Sequence, residues 1–200
     1  MHNFQKLILS LVALSILSCG KSSSSSSAAT PEPKFIFLST STNDGNIGGI
    51  DGADTICQRD ANKPSLHAGA TYKAMVVGNT RHACTTANCS GGQSENLNWV
   101  LSPYQAYMSA DSVLIAITNE NAIFSFPLLL GAAIDSTATG DYAWTGLSSD
   151  WTNFADNCNN WTDNNSYSGA RGDPTASDNT SIFNSNPNCA APNKLYCVEQ

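Results

Sequence analysis

Apolar positions along this chain fall into short dense runs separated by stretches of Ser, Asn, Asp and Gly. The first run, Leu7 to Leu17, has eleven residues and follows a weakly cationic start with His2 and Lys6. It is shorter than the roughly 20 residues that span a bilayer and has the length of a secretory-signal core. Phe35 to Leu38 is aromatic and β-branched and reads as a strand. After the glycine-rich turn Gly45 to Gly52, the spacing of Ala53, Ile56, Cys57 and Ala61 predicts a short helix, capped by Asp51 or Asp54 and closed before Pro64. Thr71 to Gly78 is a strand candidate, and Val113 to Thr118, rich in β-branched residues, favours strand over helix. Trp99 to Leu101 and Phe124 to Leu130 are further apolar segments. From Asp163 to Asn188 almost nothing is periodic, so a long irregular loop is expected there.

The residues around the first run bear on localisation. Leu17-Ser18-Cys19-Gly20 places a small residue before a cysteine and a glycine after it, the pattern of a bacterial lipobox. In such a protein the thiol is acylated and becomes the new N-terminus. Residues 1–18 are thus read as a lipoprotein signal peptide and Cys19 as the lipidated residue; plain secretory cleavage near Gly20 is the alternative. Residues 19–34, with six consecutive serines, have no apolar surface to bury and read as a tether. Residues 35–200 then form one domain.

Seven cysteines in an exported chain leave one odd thiol. If Cys19 carries lipid, Cys57, Cys84, Cys89, Cys158, Cys189 and Cys197 form an even set, and three disulfides is the natural count in an oxidising compartment. No CxxC pair occurs, and His67 and His82 lie away from the C-terminal cysteines, which argues against zinc. Sixteen acidic side chains face nine basic ones, for a net charge of −7, and loss of Lys6 with the leader makes the balance more negative. That argues against nucleic acid as a partner and against a basic docking patch. No Gly-x-Ser-x-Gly or HExxH signature occurs and the histidines are isolated, so the chain is not read as an enzyme.

Several motifs together carry a resemblance. The order GADxxCQ (Gly52 to Gln58), TYKA (Thr71 to Ala74), WTGL (Trp144 to Leu147), CxxWT (Cys158 to Thr162) and the terminal C-x7-C-V-E resembles the leptospiral endostatin-like lipoproteins. Through vertebrate endostatin it is similar to the wider C-type-lectin-like fold. The resemblance implies a small disulfide-bonded α+β domain, with an antiparallel sheet closed by its two termini and long loops on one side. It implies the pairs Cys57–Cys197 and, nested inside, Cys158–Cys189, leaving Cys84–Cys89 as a local staple. It also implies an adhesin on the outer membrane, anchored by lipid and facing outward. Its ligands would be host matrix or plasma proteins such as laminin, fibronectin, plasminogen or a complement regulator. A carbohydrate-binding module, or a structural envelope lipoprotein without a soluble ligand, are the alternatives. Endostatin's arginine cluster and N-terminal zinc histidines are not matched here, and no acid-Pro-Asn triplet of the sugar-binding lectins occurs.

Three candidate sites stand beside ordinary structural readings. Arg171-Gly172-Asp173 is an RGD triplet of the kind integrins read when glycine splays guanidinium and carboxylate; a polar turn is the plainer reading. Asp150, Asp156, Asp163, Asp173 and Asp178 can supply oxygen ligands for Ca2+ but match no EF-hand spacing, and no other cofactor is expected. Trp144, Trp151 and Trp161 can form a binding platform, although core packing suits Trp144 and Trp161 better.

Overall fold

Strand β1, Lys34–Leu38, is apolar without alternation because both of its faces are covered. Phe35 and Phe37 enter one cluster of buried side chains, and Ile36 and Leu38 enter another on the opposite side. The structure, a computed structural model, describes residues 31–200. The signal peptide, Cys19 and residues 20–30 of the tether lie outside the described residues. Helix α1 spans Gly49–Arg59 and buries Ala53 and Cys57. Ala61, expected on the same stripe, lies beyond the helix end and is exposed.

The expected cap is also different. Gly48 takes the N-cap position in the left-handed region, without a side-chain cap. Asp54 is spent elsewhere: its carboxylate accepts from the Ala74 N–H at 2.9 Å and from both Nη atoms of Arg81 at 2.8 and 2.7 Å. Arg81 is nearly buried and also donates to the carbonyls of Ala74 and Asn98. A bidentate pair of this kind needs every donor satisfied to offset its desolvation.

The remaining strands are β2 (Tyr72–Ala74), β3 (Ala106–Met108), β4 (Leu114–Ile117), β5 (Ala143–Trp144), β6 (Arg171–Gly172) and β7 (Lys194–Glu199). Among the described residues they join in one sheet of order β4-β3-β1-β7-β5-β6, with β2 also paired to β7. The result is a mixed α+β architecture dominated by sheet. Strand β7 lies at its centre. Along one edge it pairs antiparallel with β1, Phe37 opposite Cys197. Its C-terminal half pairs with β2, Ala74 again opposite Cys197, while Lys194 and Leu195 pair with β5 in parallel. The strand expected over Thr71 to Gly78 stops at Ala74 because β7 runs on to β5. Met75 still donates to the Tyr196 carbonyl, and Val77 turns to that of Thr145. Phe124 to Leu130 is irregular apart from a 3-10 turn at Leu129–Gly131.

Disulfides tie the layers together. Cys57 on α1 bonds Cys197 on β7, Cys158 bonds Cys189, and Cys84 bonds Cys89, the connectivity that the resemblance implied. The Cys57–Cys197 bond closes a loop of 140 residues, for which chain entropy alone gives about 5 kcal/mol. The tryptophans are core, not platform: Trp144, Trp151 and Trp161 are each at most 1% exposed. Trp144 and Trp161 pack at 5.7 Å and donate to the carbonyls of Asn43 and Val77. Trp151 stacks on Phe126 and meets Trp99 edge-on, so Trp99 belongs to the same core.

Gly45 shows how tightly this layer is closed. A Cβ there would stand 2.3 Å from the Cys158 sulfur and 2.7 Å from the Cys189 Cβ. Gly45→Ala is expected to lower unfolding free energy by about 1–3 kcal/mol, through overpacking against a fixed disulfide. Urea denaturation checks it, and unchanged stability refutes the packing account. Trp161→Ala, which empties a larger site, is expected to cost about 3–5 kcal/mol in the same assay.

Candidate binding surface

The segment from Asp163 to Asn188 is ordered by backbone pairing that its side-chain pattern does not announce. Residues 167–171 run antiparallel to residues 184–189. Cys189 donates to the Tyr167 carbonyl at 2.9 Å, Gly169 to that of Pro187 at 3.0 Å, and Arg171 to that of Ser185 at 2.9 Å. Isolated bridges join Ser168 to Asn188 and Arg171 to Ser185. The segment is therefore a hairpin with a folded tip, not the irregular loop expected. Its base is fixed on one side by the Cys158–Cys189 bond and on the other by the pairing of β6 with β5 and by Thr145, just after β5, which donates to the Ala170 carbonyl.

Beside that base the chain makes an uncommon turn. Cys158, Asn159, Asn160 and Trp161 are consecutive left-handed residues, with φ between +51° and +64°. Each such non-glycine residue costs of order 1 kcal/mol or more and persists only where its surroundings dictate it. Here the Cys158 disulfide, the Trp161 indole bond to Val77 and the Asn157 side-chain cap on Asn160 N–H hold the turn. The Asn160 side chain in turn accepts from the Asn79 N–H at 2.9 Å.

The RGD triplet falls inside this framework. Arg171 and Gly172 form β6 against β5. The guanidinium carbon of Arg171 sits 3.7 Å over the Tyr142 ring, and its nitrogens donate to Ser185 Oγ and Asn193 Oδ1 at 3.1 Å each. Gly172 is buried, and a Cβ there would stand 1.9 Å from the Ser181 carbonyl oxygen. The Asp173 carboxylate accepts from the backbone and hydroxyl of Thr175. The glycine thus permits close backbone approach and does not splay the flanking side chains. Strand and turn account for the triplet.

The five aspartates considered for calcium are likewise engaged one by one. Asp150, Asp173 and Asp178 each accept from the threonine two residues on, Asp163 from the N–H groups of Asn165 and Ser166, and Asp156 from Ser168. Among the described residues no three acidic, histidine or cysteine side chains converge on one point. Hydrogen bonds from its own turn hold the Asp163 carboxyl below the usual carboxylate range, and the Thr180 hydroxyl does the same for Asp178. Asn/Asp richness here is turn chemistry.

What the hairpin presents to solvent is a surface of small polar side chains and one aromatic. Asn165, Ser166, Tyr167, Thr175, Asn184, Asn186 and Asn188 are exposed, Tyr167 by about half. Nearby, an open cleft of about 430 Å³ between the β3–β4 turn and residues 131–137 carries Asp111, Asp135 and Thr137, with Thr175 at its margin. The family model described as "Protein of unknown function (DUF1554)" matches residues 40–177. The chain belongs to this family. The DUF1554 match takes in α1, Cys57, Trp144, Trp161 and most of the hairpin, and ends before Cys189 and β7. A comparison with curated proteins finds no match.

A second stapled loop lies earlier in the chain. Between Cys84 and Cys89 the chain folds around Glu95, whose carboxylate accepts from the N–H and hydroxyl of both Thr85 and Thr86 and from the Gly91 N–H. The Thr86 hydroxyl first, and then the backbone donors, pull the Glu95 carboxyl from 4.5 down to about 2. The signal was a glutamate following a Thr-Thr pair, and it became legible only with the chain folded back.

Because the folded carboxyl lies below its unfolded value, its contribution is present above pH 4.5 and is lost as pH falls through about 2. Carboxyl carbon NMR is expected to show Glu95 titrating near 2, and a midpoint near 4.5 overturns the assignment. Cells carrying RGD-reading integrins are expected to adhere equally to the folded protein and to its Asp173→Glu variant. Adhesion lost in the variant would show that the triplet is displayed after all.

Proposed function

We propose that the protein is a surface binding module, held at the outer membrane by lipid on Cys19, that contacts host extracellular-matrix or plasma proteins through its 163–188 hairpin. The observation that carries this reading is the stapled hairpin surface itself. It offers Asn, Ser and Thr groups and a half-exposed Tyr167 on a backbone fixed by Cys158–Cys189 and β5. Antibody loops use the same chemistry: adaptable hydrogen-bonding side chains around a rigid amphipathic tyrosine. A surface fixed before binding loses little ordering entropy when a partner arrives.

Further support comes from the motifs shared with the leptospiral endostatin-like lipoproteins. The pairing of first and last strands and the bond from α1 to β7 suit an endostatin-like, C-type-lectin-like domain. Laminin, fibronectin, plasminogen and complement regulators are the ligands the family likeness puts forward.

The oxidised, full-length protein is expected to bind one or more of these ligands saturably, and reduction of its disulfides is expected to abolish binding. Tyr167→Ala is expected to weaken it about tenfold, about 1.4 kcal/mol, without loss of thermal stability. Binding no greater than that of a scrambled-disulfide control overturns the adhesin reading. Protease added to intact cells is expected to remove the domain, and protection from protease would place it on the inner side. Cys19→Ala is expected to release the chain from the membrane fraction, and retention there refutes lipidation.

A further inference from the structure

Strand β4, at the edge of the sheet, carries a contiguous apolar face that the fold does not cover. Its pairing with β3 sets Ile117 opposite Ala106, Ala116 opposite Tyr107 and Leu114 opposite Met108, with a bulge at Ile115. Tyr107, Ile115 and Ala116 therefore enter the core. Leu114 and Ile117 lie on the other face and are 43% and 52% exposed. That face is the side on which α1 packs over β2 and β7, three places away in strand order from β4. The helix packs on β2 and β7, and the outward positions of β4 stay bare. Leu130, in the 3-10 turn that contacts β4, and Tyr104, across its far end and 69% exposed, are the other bare apolar side chains here, whereas Val113 lines the cleft with Asp111 and Asp135. Isolated exposed apolar side chains need no explanation; a contiguous set on an unpaired edge does.

The chain's own anchor says what covers it. Strand β1 begins next to β3, with Lys34 opposite Tyr107, and the Gln105 side chain donates to the Glu32 carbonyl at 2.8 Å. Glu32 thus lies roughly 10 Å, two strand spacings, from Ile117. Eleven residues separate Cys19 from Pro31, a stretch that spans at most about 40 Å even when fully extended. The chain thus enters the domain at this end of the sheet, and an acyl chain on Cys19 would keep that entry point within about 40 Å of the lipid surface.

We propose that the β4 edge docks into the interface of the bilayer that holds the anchor, with Leu114, Ile117 and Leu130 at the acyl boundary and Tyr104 at headgroup level. This rests on the reading of Cys19 as lipidated. Aliphatic side chains flanked by a tyrosine suit an interfacial position. With Lys34 as the cation at this edge, and Asp111 and Glu120 close by in sequence, the contact is apolar and suits zwitterionic lipid. Strand β6, the base of the hairpin, is at the opposite end of the strand order. Docking by β4 would therefore hold the hairpin base at β6 away from the lipid, while the hairpin tip, where Pro174 and Ser177 accept from Asp135 and Leu128, stays beside the docked edge.

The test uses the full lipidated chain in phosphatidylcholine vesicles, with and without bromine on the acyl chains. Ile117→Trp and Tyr167→Trp each add one indole to the same background. The proposal expects brominated lipid to quench the added emission at 117 and to leave that at 167 unchanged. Equal quenching at both positions, or none at 117 in protein that floats with the vesicles, overturns the docking while leaving the anchor intact. Failure of the unaltered protein to float with vesicles overturns the anchor and the docking together. A mass that halves in solution when Leu114→Asp and Ile117→Asp are introduced would assign the face to a second copy instead, and also overturns the proposal.

Discussion

Strand β7 is held from every side, and the rest of the molecule takes its position from that. Its alternate residues feed both buried clusters, Leu195 and Cys197 on one face and Tyr196 and Val198 on the other. Both of its edges are paired, and the Cys57–Cys197 bond fixes α1 on top of it. The Tyr196 hydroxyl donates to the Ser181 carbonyl, and burial pushes that phenol well above its ordinary value. Glu199 accepts from the Phe35 N–H and from the His67 ring. A strand made at the end of the chain thus closes a sheet begun at residue 34, and β1, β2, β5 and α1 all pack or pair on it. Such topologies spend loop-closure entropy before they gain contacts, which a disulfide across 140 residues offsets by restricting the unfolded chain.

From this centre the sheet acquires two unlike ends. Toward β6 the chain is closed by Cys158–Cys189, the left-handed turn at Cys158–Trp161 and the stacked Arg171, and it offers solvent a polar, rigid surface. Toward β4 it ends in a bulged, unpaired and apolar edge next to the point where the chain enters. The strain in four consecutive left-handed residues is stored beside the surface proposed to bind, where it fixes backbone direction.

Much of the framework was legible because hydrophobic pattern and cysteine count report burial directly. Phe35 to Leu38 read as a strand, Ala53 and Cys57 as a helical stripe, and Val113 to Thr118 as β4, and each is present within a residue or two. Trp144 and Trp161 were legible as core from their motifs. Other features were not legible, because they depend on which polar atoms meet. Asp54 looks like a helix cap and is the partner of Arg81, 27 residues on. The 163–188 hairpin is built from main-chain bonds such as Gly169 to Pro187 and Arg171 to Ser185, which leave no period in the sequence. For the RGD triplet the sequence offers a displayed motif beside a plainer polar turn, and the structure sets Gly172 against the Ser181 carbonyl and Arg171 on Tyr142.

By itself the sequence determined what had to be buried, how many disulfides were available and that the chain carries an export signal pattern and an acidic surface. Those properties follow from the transfer free energy of side chains and from thiol chemistry, which act locally and leave a mark at each position. Only the tertiary structure decided which strand lies at the centre, which aspartates serve turns, and which apolar residues are left uncovered. Each of these is settled by the matching of groups distant in sequence. Leu114 and Ile115 are alike in composition, and alternation along β4 sends one to solvent and the other to the core, while a bulge against β3 turns Ala116 inward beside Ile115.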